Sequence, residues 1–183
     1  IFQIVVDERF QQPDIIVGDE GGSTEGGEQP IPDFEMVQDG NVITYTVYTA
    51  EGLEAWRQAA HQDALDDTDT KVNLILGADI TLPEDVQPNW TPVGTYDHPY
   101  DGFIDGAGHS IADMSIDTDD DPAGFIGAWT GADGDIAVKD MTLIDVDVHS
   151  SNDYGTGAFI GYGFEDFVLD NCHVVGGSVS GIG

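Results

Sequence analysis

Three alternating aspartates are the residues whose spacing best suits a metal ion. Asp117, Asp119 and Asp121 precede Gly124, as in the first half of an EF-hand loop, whose oxygen ligands bind Ca²⁺. The glutamate that closes such a loop at its twelfth position is absent, because Ala128 stands there. Two alternatives stay open: a calcium site completed by a neighbouring segment, or a solvated acidic turn. The expected cofactor is therefore none or calcium.

A long loop over residues 83–101 carries aromatic side chains that could contact sugars. Trp90, Tyr96 and Tyr100 lie in this loop, and aromatic rings present large apolar faces. We interpret these three residues as candidates for stacking on a sugar ring. The alternative is that Trp90 packs against the neighbouring strands.

No spacing in the chain indicates catalytic residues. A glycoside hydrolase needs two carboxyl groups roughly 5–10 Å apart on one face, but 36 acidic residues make chance pairs easy. Cys172, the single cysteine, is interpreted as a small buried hydrophobic residue. The histidines show no metal-ligand spacing: His61, His98, His109, His149 and His173. We therefore assign no catalytic or cofactor-binding residue, and a polysaccharide hydrolase remains the alternative function.

The net charge is the most extreme property of the chain. Its 183 residues include 36 acidic and four basic ones, which gives a formal charge of −32. Nucleic acids and anionic membranes bind basic surfaces, so neither is an expected partner. No apolar run approaches the length of a transmembrane helix, so we predict that the chain is not membrane-spanning. Saline habitat, protease resistance and ion binding are alternative reasons for the acidity.

The elements that carry these residues belong to an internal repeat. Each copy has an Asx residue, an apolar residue, a small polar residue (His in the last copy) and a second apolar residue. The four copies begin at Asp79, Asp113, Asp140 and Asn171, with offsets of 34, 27 and 31 residues. A Pro-Val-Gly or Phe-Ile-Gly element recurs with them at residues 92–94, 125–127 and 159–161. A period of about 30 residues is typical of repeat architectures.

Stacked copies of this repeat predict the fold. The apolar residues alternate as in a strand with one buried face, and such strands bury that face by pairing with the next copy. We therefore predict an all-β fold, a right-handed parallel β-helix. Two inward columns are expected, one of Ile80, Met114, Met141 and Cys172, the other of Leu82, Ile116, Leu143 and Val174. The four Asx residues should form a structural ladder of turns.

Two parts of the repeat region resemble a known family. Residues 155–162, 170–174 and 176–181 resemble the GLUG-type repeat of bacterial surface proteins, with Phe-Ile-Gly replacing the usual Leu-Val-Gly. Residues 89–94 and 102–111 resemble the opening coil of the same proteins. The resemblance implies an adhesin-like parallel β-helix of Bacteroidetes-type bacteria, which often accompanies fimbrillin-like domains. It also implies an extracellular or outer cell-surface location, and no single shared chemistry.

Three segments are expected along the chain. Residues 1–20 contain two strand-like runs, interpreted as remnants of a preceding domain or as a pairing arm. Residues 21–40 predict a linker that is rich in Gly, Glu and Pro. Residues 41–183 predict the β-helix, and we expect it to continue beyond residue 183 in a longer protein.

A capping helix is expected near the start of the third segment. Residues 41–48 alternate as a strand, and Thr49 suits the N-cap of a helix that ends near Asp63. This helix should cover the open first coil of the β-helix, with Trp56 as the buried plug.

The function that these patterns favour is adhesion or spacing at a bacterial cell surface. We expect a secreted, acidic repeat protein that presents a rigid surface to host glycans, matrix or cells. A polysaccharide hydrolase is one alternative, and a structural stalk or fimbrial subunit is the other. The expected partners are a glycan or a host surface protein, or a second copy that pairs through residues 1–17 or the open C-terminal coil.

Overall fold

The computed structural model of the protein describes residues 31–66, 68–119, 121–151 and 153–182. The strand remnants of residues 1–20, the pairing arm of residues 1–17 and linker residues 21–30 lie outside the described residues. The chain divides into two units after Ile31. All elements below belong to the second unit, which begins at Pro32.

A β-hairpin opens the second unit. Strand β1 (Phe34–Asp39) pairs antiparallel with strand β2 (Val42–Val47). The turn between them contains Gly40 with φ of 59°, a conformation that glycine adopts without steric cost. Strand β1 therefore lies within residues 21–40, the segment that the composition predicts as a linker.

One helix follows the hairpin at the predicted position. Helix α1 (Ala50–Asp66) has 17 residues. Thr49 is its N-cap, because the Thr49 hydroxyl oxygen accepts a hydrogen bond from the Gly52 N–H at 3.1 Å. Trp56 is buried on the inner face of the helix, as predicted. Among the described residues, no helix combines the length and the apolar composition that a membrane crossing requires.

The remaining strands run from residue 71 to residue 181. They are β3 (Lys71–Leu76), β4 (Ile80–Thr81), β5 (Ile104–Asp105), β6 (Ser110–Ala112), β7 (Ser115–Thr118), β8 (Ile126–Trp129), β9 (Asp135–Lys139), β10 (Thr142–Ser150), β11 (Ile160–Gly163), β12 (Phe167–Asp170) and β13 (His173–Gly181). The described strands form three sheets, with the orders β1-β2-β3-β5-β9-β12, β13-β10-β6-β4 and β11-β8. Strand β7 also pairs with β10.

Most of these pairings are parallel and join successive copies of the repeat. In the second sheet, Ile111 pairs with Leu143, and Leu143 pairs with Val174. In the third sheet, Ile126 pairs with Ile160. Equivalent residues of neighbouring copies therefore lie side by side, which is the basis of the buried core.

The prediction of an all-β right-handed parallel β-helix is wrong. The described residues form a mixed α/β fold of 13 strands in three sheets with one helix, and no solenoid or closed sheet is detected among them. The hairpin β1-β2 is antiparallel, and strands β4 and β5 have only two residues each. The repeat thus directs parallel pairing, whereas the hairpin, the helix and the long loop before β5 interrupt a uniform coil.

The predicted core columns also have the wrong register in the first two copies, since Ile80 aligns through Ile111 with Leu143 rather than with Met141. Ile80 pairs with Ile111 rather than with Met114, while Ile116 pairs with Val148. The backbone turns at Asp113, whose φ is 62°, and at the equivalent Asp145, whose φ is 49°. The turn at Asp113 separates β6 from β7. Ile80 aligns with Ile111 in β6, whereas the second copy of the module begins at Asp113, after β6.

Candidate ligand-binding surface

Two of the three predicted stacking residues are buried in an aromatic core. Trp90 is 4% exposed and Tyr100 is 2% exposed. The Trp90 indole N–H donates to the Phe125 carbonyl at 3.0 Å, and the Tyr100 hydroxyl donates to the Val72 carbonyl at 2.7 Å. Neither ring face is open to a ligand, so these residues stabilise the fold instead.

Tyr96 is different, because it lies in an exposed group of four aromatic rings. Its ring centroid is 5.0 Å from that of Tyr154 and 5.2 Å from those of Tyr162 and Phe164. Tyr162 and Phe164 also contact each other at 5.0 Å. Tyr96, Tyr154 and Phe164 keep exposed fractions of 37%, 45% and 40%. These four residues are called the aromatic patch below.

A tight turn positions Tyr96 in the aromatic patch. The Thr95 N–H donates to the His98 carbonyl at 2.9 Å, and the His98 N–H donates to the Thr95 hydroxyl oxygen at 3.1 Å. The Tyr96 N–H faces the Asp121 carboxylate at 3.4 Å. Val93, just before this turn, bridges to Ile126 in parallel. The turn is therefore fixed to the third sheet at its base.

The other rings come from a copy of the repeat two positions further along the chain. Tyr162 lies in β11, and Phe164 follows it with its N–H bonded to the Trp129 carbonyl at 3.0 Å. Close backbone approach explains the glycine of the Phe-Ile-Gly element: a Cβ on Gly161 would come within 2.8 Å of the Ala123 and Gly127 backbone. A larger residue would push β11 away from β8 and separate the rings.

The surroundings of Tyr96 in the patch affect its pKa. The pKa of Tyr96 is raised, first by the neighbouring Tyr162 phenol and its hydrogen bond, then by partial burial, Tyr154 and Asp97. An upward shift keeps this phenol neutral at physiological pH. The rings therefore present neutral π faces beside carboxylates.

Each lysine and arginine in the described part of the chain has a carboxylate partner. Arg57 pairs with Glu54 at 2.6 Å, Lys71 lies 3.5 Å from Asp101, and Lys139 pairs with Asp105 at 2.9 Å.

The three candidate calcium ligands occupy different positions. Asp117 lies in β7 opposite His149 of β10, and Asp119 is exposed beyond that strand. Asp121 accepts the Tyr96 N–H instead. No group of three or more His, Cys, Asp or Glu side chains among the described residues is arranged to hold a metal ion. Calcium binding stays a prediction.

Only two of the four Asx residues of the predicted ladder bond to each other among the described contacts. Asp140 and Asn171 are together: the Asn171 amide donates to the Asp140 carboxylate at 2.7 Å, and both residues have positive φ. Asp79 instead accepts the Ser110 N–H at 2.9 Å, which lowers the pKa of the Asp79 carboxyl. Asp113 aligns with Asp145, since Ala112 pairs with Ile144.

Cys172 is half-buried rather than fully buried. Its thiol lies 3.5 Å from the carbonyls of Val138 and Asp170. Burial raises the pKa of the Cys172 thiol, and a thiol kept protonated is a poor nucleophile. The structure thus gives this residue a packing position.

A second candidate surface is an acidic cleft. Its volume is about 340 Å³, and the cleft is open to solvent. Its lining residues are Glu84, Gln87, Asp113, Met114, Ser115, Asp145 and Asp147. Four carboxyl groups line this cleft, and a glycoside hydrolase needs a pair of carboxyl groups on one face. Acidic side chains are, however, abundant throughout this chain.

A third feature is the face of β13. This nine-residue strand pairs with β10 on one side, and all of its residues are exposed. Val174, Val175 and Val179 are among its exposed side chains. Exposed strands with apolar side chains can pair with another chain.

Sequence patterns marked one patch residue, Tyr96, as a candidate for ligand stacking and did not mark the other three. Tyr154, Tyr162 and Phe164 lie in another copy of the repeat, more than fifty positions from Tyr96. The regular spacing of the elements that contain Val93 and Ile160 could have indicated this proximity. Both elements align with Ile126, which brings the two segments to the same sheet. No protein-family model, curated protein or solved structure matches this chain.

Proposed function

We propose that this protein is an adhesin-like domain of a bacterial cell surface that binds glycans through the aromatic patch. The observation that carries the proposal is the group of four contacting rings around Tyr96, three of them more than a third exposed. Soluble proteins seldom leave large contiguous apolar patches exposed, and the patches that are exposed often mark interaction sites. Aromatic faces pack against the C–H faces of sugar rings.

The framework beneath the patch supports a binding role. The rings come from two repeat copies, and the copy between them joins these two by parallel pairing, since Ile126 bridges to Val93 on one side and pairs with Ile160 on the other. Rigid positioning of the rings lowers the entropic cost of ordering these side chains when a ligand binds. An acidic framework with a fixed contact surface suits a domain that adheres or acts as a spacer between surfaces.

The location rests on the resemblance to GLUG-type proteins and on the charge. Residues 155–181 carry the motif that resembles this surface-protein repeat, and that likeness favours an extracellular or outer cell-surface site. A charge of −32 disfavours anionic partners. The partners that we propose are host glycans without acidic groups, or a host surface protein that carries such glycans.

A glycan panel tests the proposal directly. The protein is incubated with neutral and acidic polysaccharides, with and without Ca²⁺, and mass spectrometry detects both retained complexes and shortened products. We expect retained neutral glycans without products, and at least about fivefold weaker binding for Tyr154→Ala, because one stacked ring contributes roughly 1–3 kcal/mol in comparable contacts. Val86→Ala is the control, since Val86 is an exposed apolar side chain outside the patch, at 59% against 45% for Tyr154. Binding that Tyr154→Ala leaves intact would contradict the proposal.

The acidic cleft carries a second candidate, a polysaccharide hydrolase. The four carboxyl groups around Asp113 and Asp145 are the observation in its favour. In the same panel, shortened products that disappear in Asp145→Asn would support it. Intact glycans throughout the panel would count against it.

The exposed face of β13 carries a third candidate, a structural stalk or fimbrial subunit. Val175 and Val179 would then contact a second copy through strand pairing. Sedimentation velocity at increasing concentration should show association, and Val175→Lys should reduce it, because a charge on an edge strand opposes pairing. A monomer at every concentration argues against this candidate.

A further inference from the structure

We propose that the aromatic patch binds a short stretch of a single soluble glycan chain and does not bind the flat faces of ordered polysaccharides. This inference rests on the glycan binding proposed above, and it names the physical form of the ligand. The observation that carries it is the tilt of the four rings, which contact each other closely without sharing a plane.

The planes of the patch rings are inclined to one another. The interplanar angle between Tyr96 and its neighbours is 40° for Tyr154, 58° for Tyr162 and 48° for Phe164. Tyr162 and Phe164 are inclined by 74°. A flat surface that lies on one ring of an inclined pair cannot also lie on the other, so a flat ligand surface cannot cover the patch as a whole.

Contacts within the patch and beneath it restrain these tilts. The phenol groups of Tyr96 and Tyr162 are hydrogen-bonded to each other. Tyr162 lies in β11, and the Phe164 N–H donates to the Trp129 carbonyl at 3.0 Å. The hydrogen bonds and the ring contacts therefore hold the rings in their inclined arrangement.

The rings form a compact cluster rather than a row. Every other ring of the patch contacts Tyr96, at 5.0–5.2 Å between centroids. A row of separated rings would present one stacking face to each successive sugar of an extended chain, and each such contact would add to the affinity. A cluster around one central ring instead contacts a ligand chain at a single point.

The parallel rings of this chain are placed where no ligand reaches them. Phe125 is inclined by only 12° to Trp90 and by 16° to Trp56, and all three side chains are buried. Among the ring pairs of the described residues, these two nearly parallel pairs lie in the core. The exposed aromatic surface thus consists of inclined faces, which suit a small ligand segment.

Polysaccharides that exist in both physical forms give the sharpest experiment. Cellulose and chitin are uncharged polymers whose short oligosaccharides dissolve and whose crystals expose flat faces. Titration calorimetry measures the affinity for each soluble series from the disaccharide to the hexasaccharide, and depletion of the protein from solution measures binding to each crystal.

The expected result is a nearly constant affinity along a soluble series. At least one of the two series should bind, with an affinity that rises by no more than about threefold, because only the number of equivalent positions along the chain grows. Neither crystal should deplete the protein.

Two variants locate the binding. Tyr96→Ala removes the ring that all the others contact, and it should weaken binding of the trisaccharide by at least about fivefold, the loss of one stacked ring. Phe164→Leu keeps an apolar side chain but removes a flat face, and it gives the same test if Tyr96→Ala does not fold. Tyr48→Ala is the control and should bind as the unmodified protein does, because Tyr48 lies outside the patch beside Glu35.

The outcomes distinguish this inference from the proposed function. An affinity that rises beyond threefold along the series, or depletion of the protein by either crystal, overturns the inference and leaves glycan binding intact. Soluble binding that Tyr96→Ala and Phe164→Leu both retain places the ligand outside the patch, which overturns the inference and the proposed function together. Binding of neither soluble series overturns the inference, and the wider glycan panel then decides the proposed function.

Discussion

The molecule contains two clusters of aromatic rings with similar spacing and different surroundings. In the buried cluster, Phe125 lies 4.8 Å from Trp90 and 5.7 Å from Trp56. In the aromatic patch, Tyr96 lies 5.0–5.2 Å from its neighbours. Ring distance alone therefore does not distinguish a core from a contact surface.

Exposure and hydrogen bonding make the difference. The polar atoms of the buried rings bond to backbone carbonyls, as Trp90 does with Phe125 and Tyr100 with Val72. The patch is instead more than a third exposed at three of its four rings. The first cluster stabilises the fold. The second leaves apolar ring area exposed to solvent, which folding alone does not require.

The largest expected effect comes from emptying the buried cluster. Trp56→Ala removes a fully buried side chain and should lower the free energy of unfolding by about 3–5 kcal/mol. Tyr154→Ala removes a half-exposed ring and should cost less than about 1 kcal/mol. Urea unfolding measures both values. Similar losses for the two variants would mean that the patch is part of the core.

A smaller change tests the hydrogen bonds of the buried rings. Tyr100→Phe removes the 2.7 Å bond to the Val72 carbonyl, and loss of a buried partner should cost about 2 kcal/mol. Tyr48→Phe is the control, since its 3.3 Å bond to Glu35 is exposed and should matter little. Urea midpoints of the two variants should therefore separate clearly, and equal midpoints would remove this distinction between the clusters.

The sheets that hold the two clusters depend on turns with positive φ. Asp140 has φ of 50° and accepts the Asn171 amide at 2.7 Å. Asp140→Ala should lower stability by about 1 kcal/mol, because alanine is strained at this φ and the hydrogen bond is lost. Asp140→Gly relieves the strain while still losing the bond, so thermal melting should place it between Asp140→Ala and the unmodified protein. An unchanged melt for Asp140→Ala would contradict this account of the turn.

Sequence patterns predicted the local elements better than their arrangement. The N-cap at Thr49 and the buried Trp56 follow from short-range rules of helix capping and amphipathicity. The parallel pairing of repeat copies follows from the period. The overall architecture did not follow, because the antiparallel hairpin lies outside the repeat and strand β5 has only two residues.

The candidate site was predictable only in part for a related reason. Composition marks Trp90, Tyr96 and Tyr100 alike as aromatic loop residues, and burial decides which of them faces solvent. Burial depends on how the long loop crosses the sheet edge, where Tyr100 N–H bonds to the Ala128 carbonyl at 2.9 Å. Such long-range backbone contacts leave no local pattern in the sequence.

The smallest expected effect is a pH dependence at the boundary between the two regions. His61 lies on α1, and burial, then the positive charge of Arg57, lowers its pKa below the ordinary value of 6.5, while Asp121 opposes the shift. The folded protein therefore binds this proton more weakly than the unfolded chain. The stabilisation is complete above about pH 6.5 and is lost as the pH falls through the lowered pKa.

Thermal melting across this pH range measures the effect. The melting temperature of the unmodified protein should fall on acidification more steeply than that of His61→Gln, which has no group to protonate at this position. Glycan binding by the patch should not follow the same curve, because His61 acts on the packing of α1 rather than on the ring faces. Identical pH slopes for the two proteins would show that His61 does not titrate differently on folding. A binding curve that tracks the melting curve would show that the two aromatic regions are coupled through Asp121, whose carboxylate faces the Tyr96 turn.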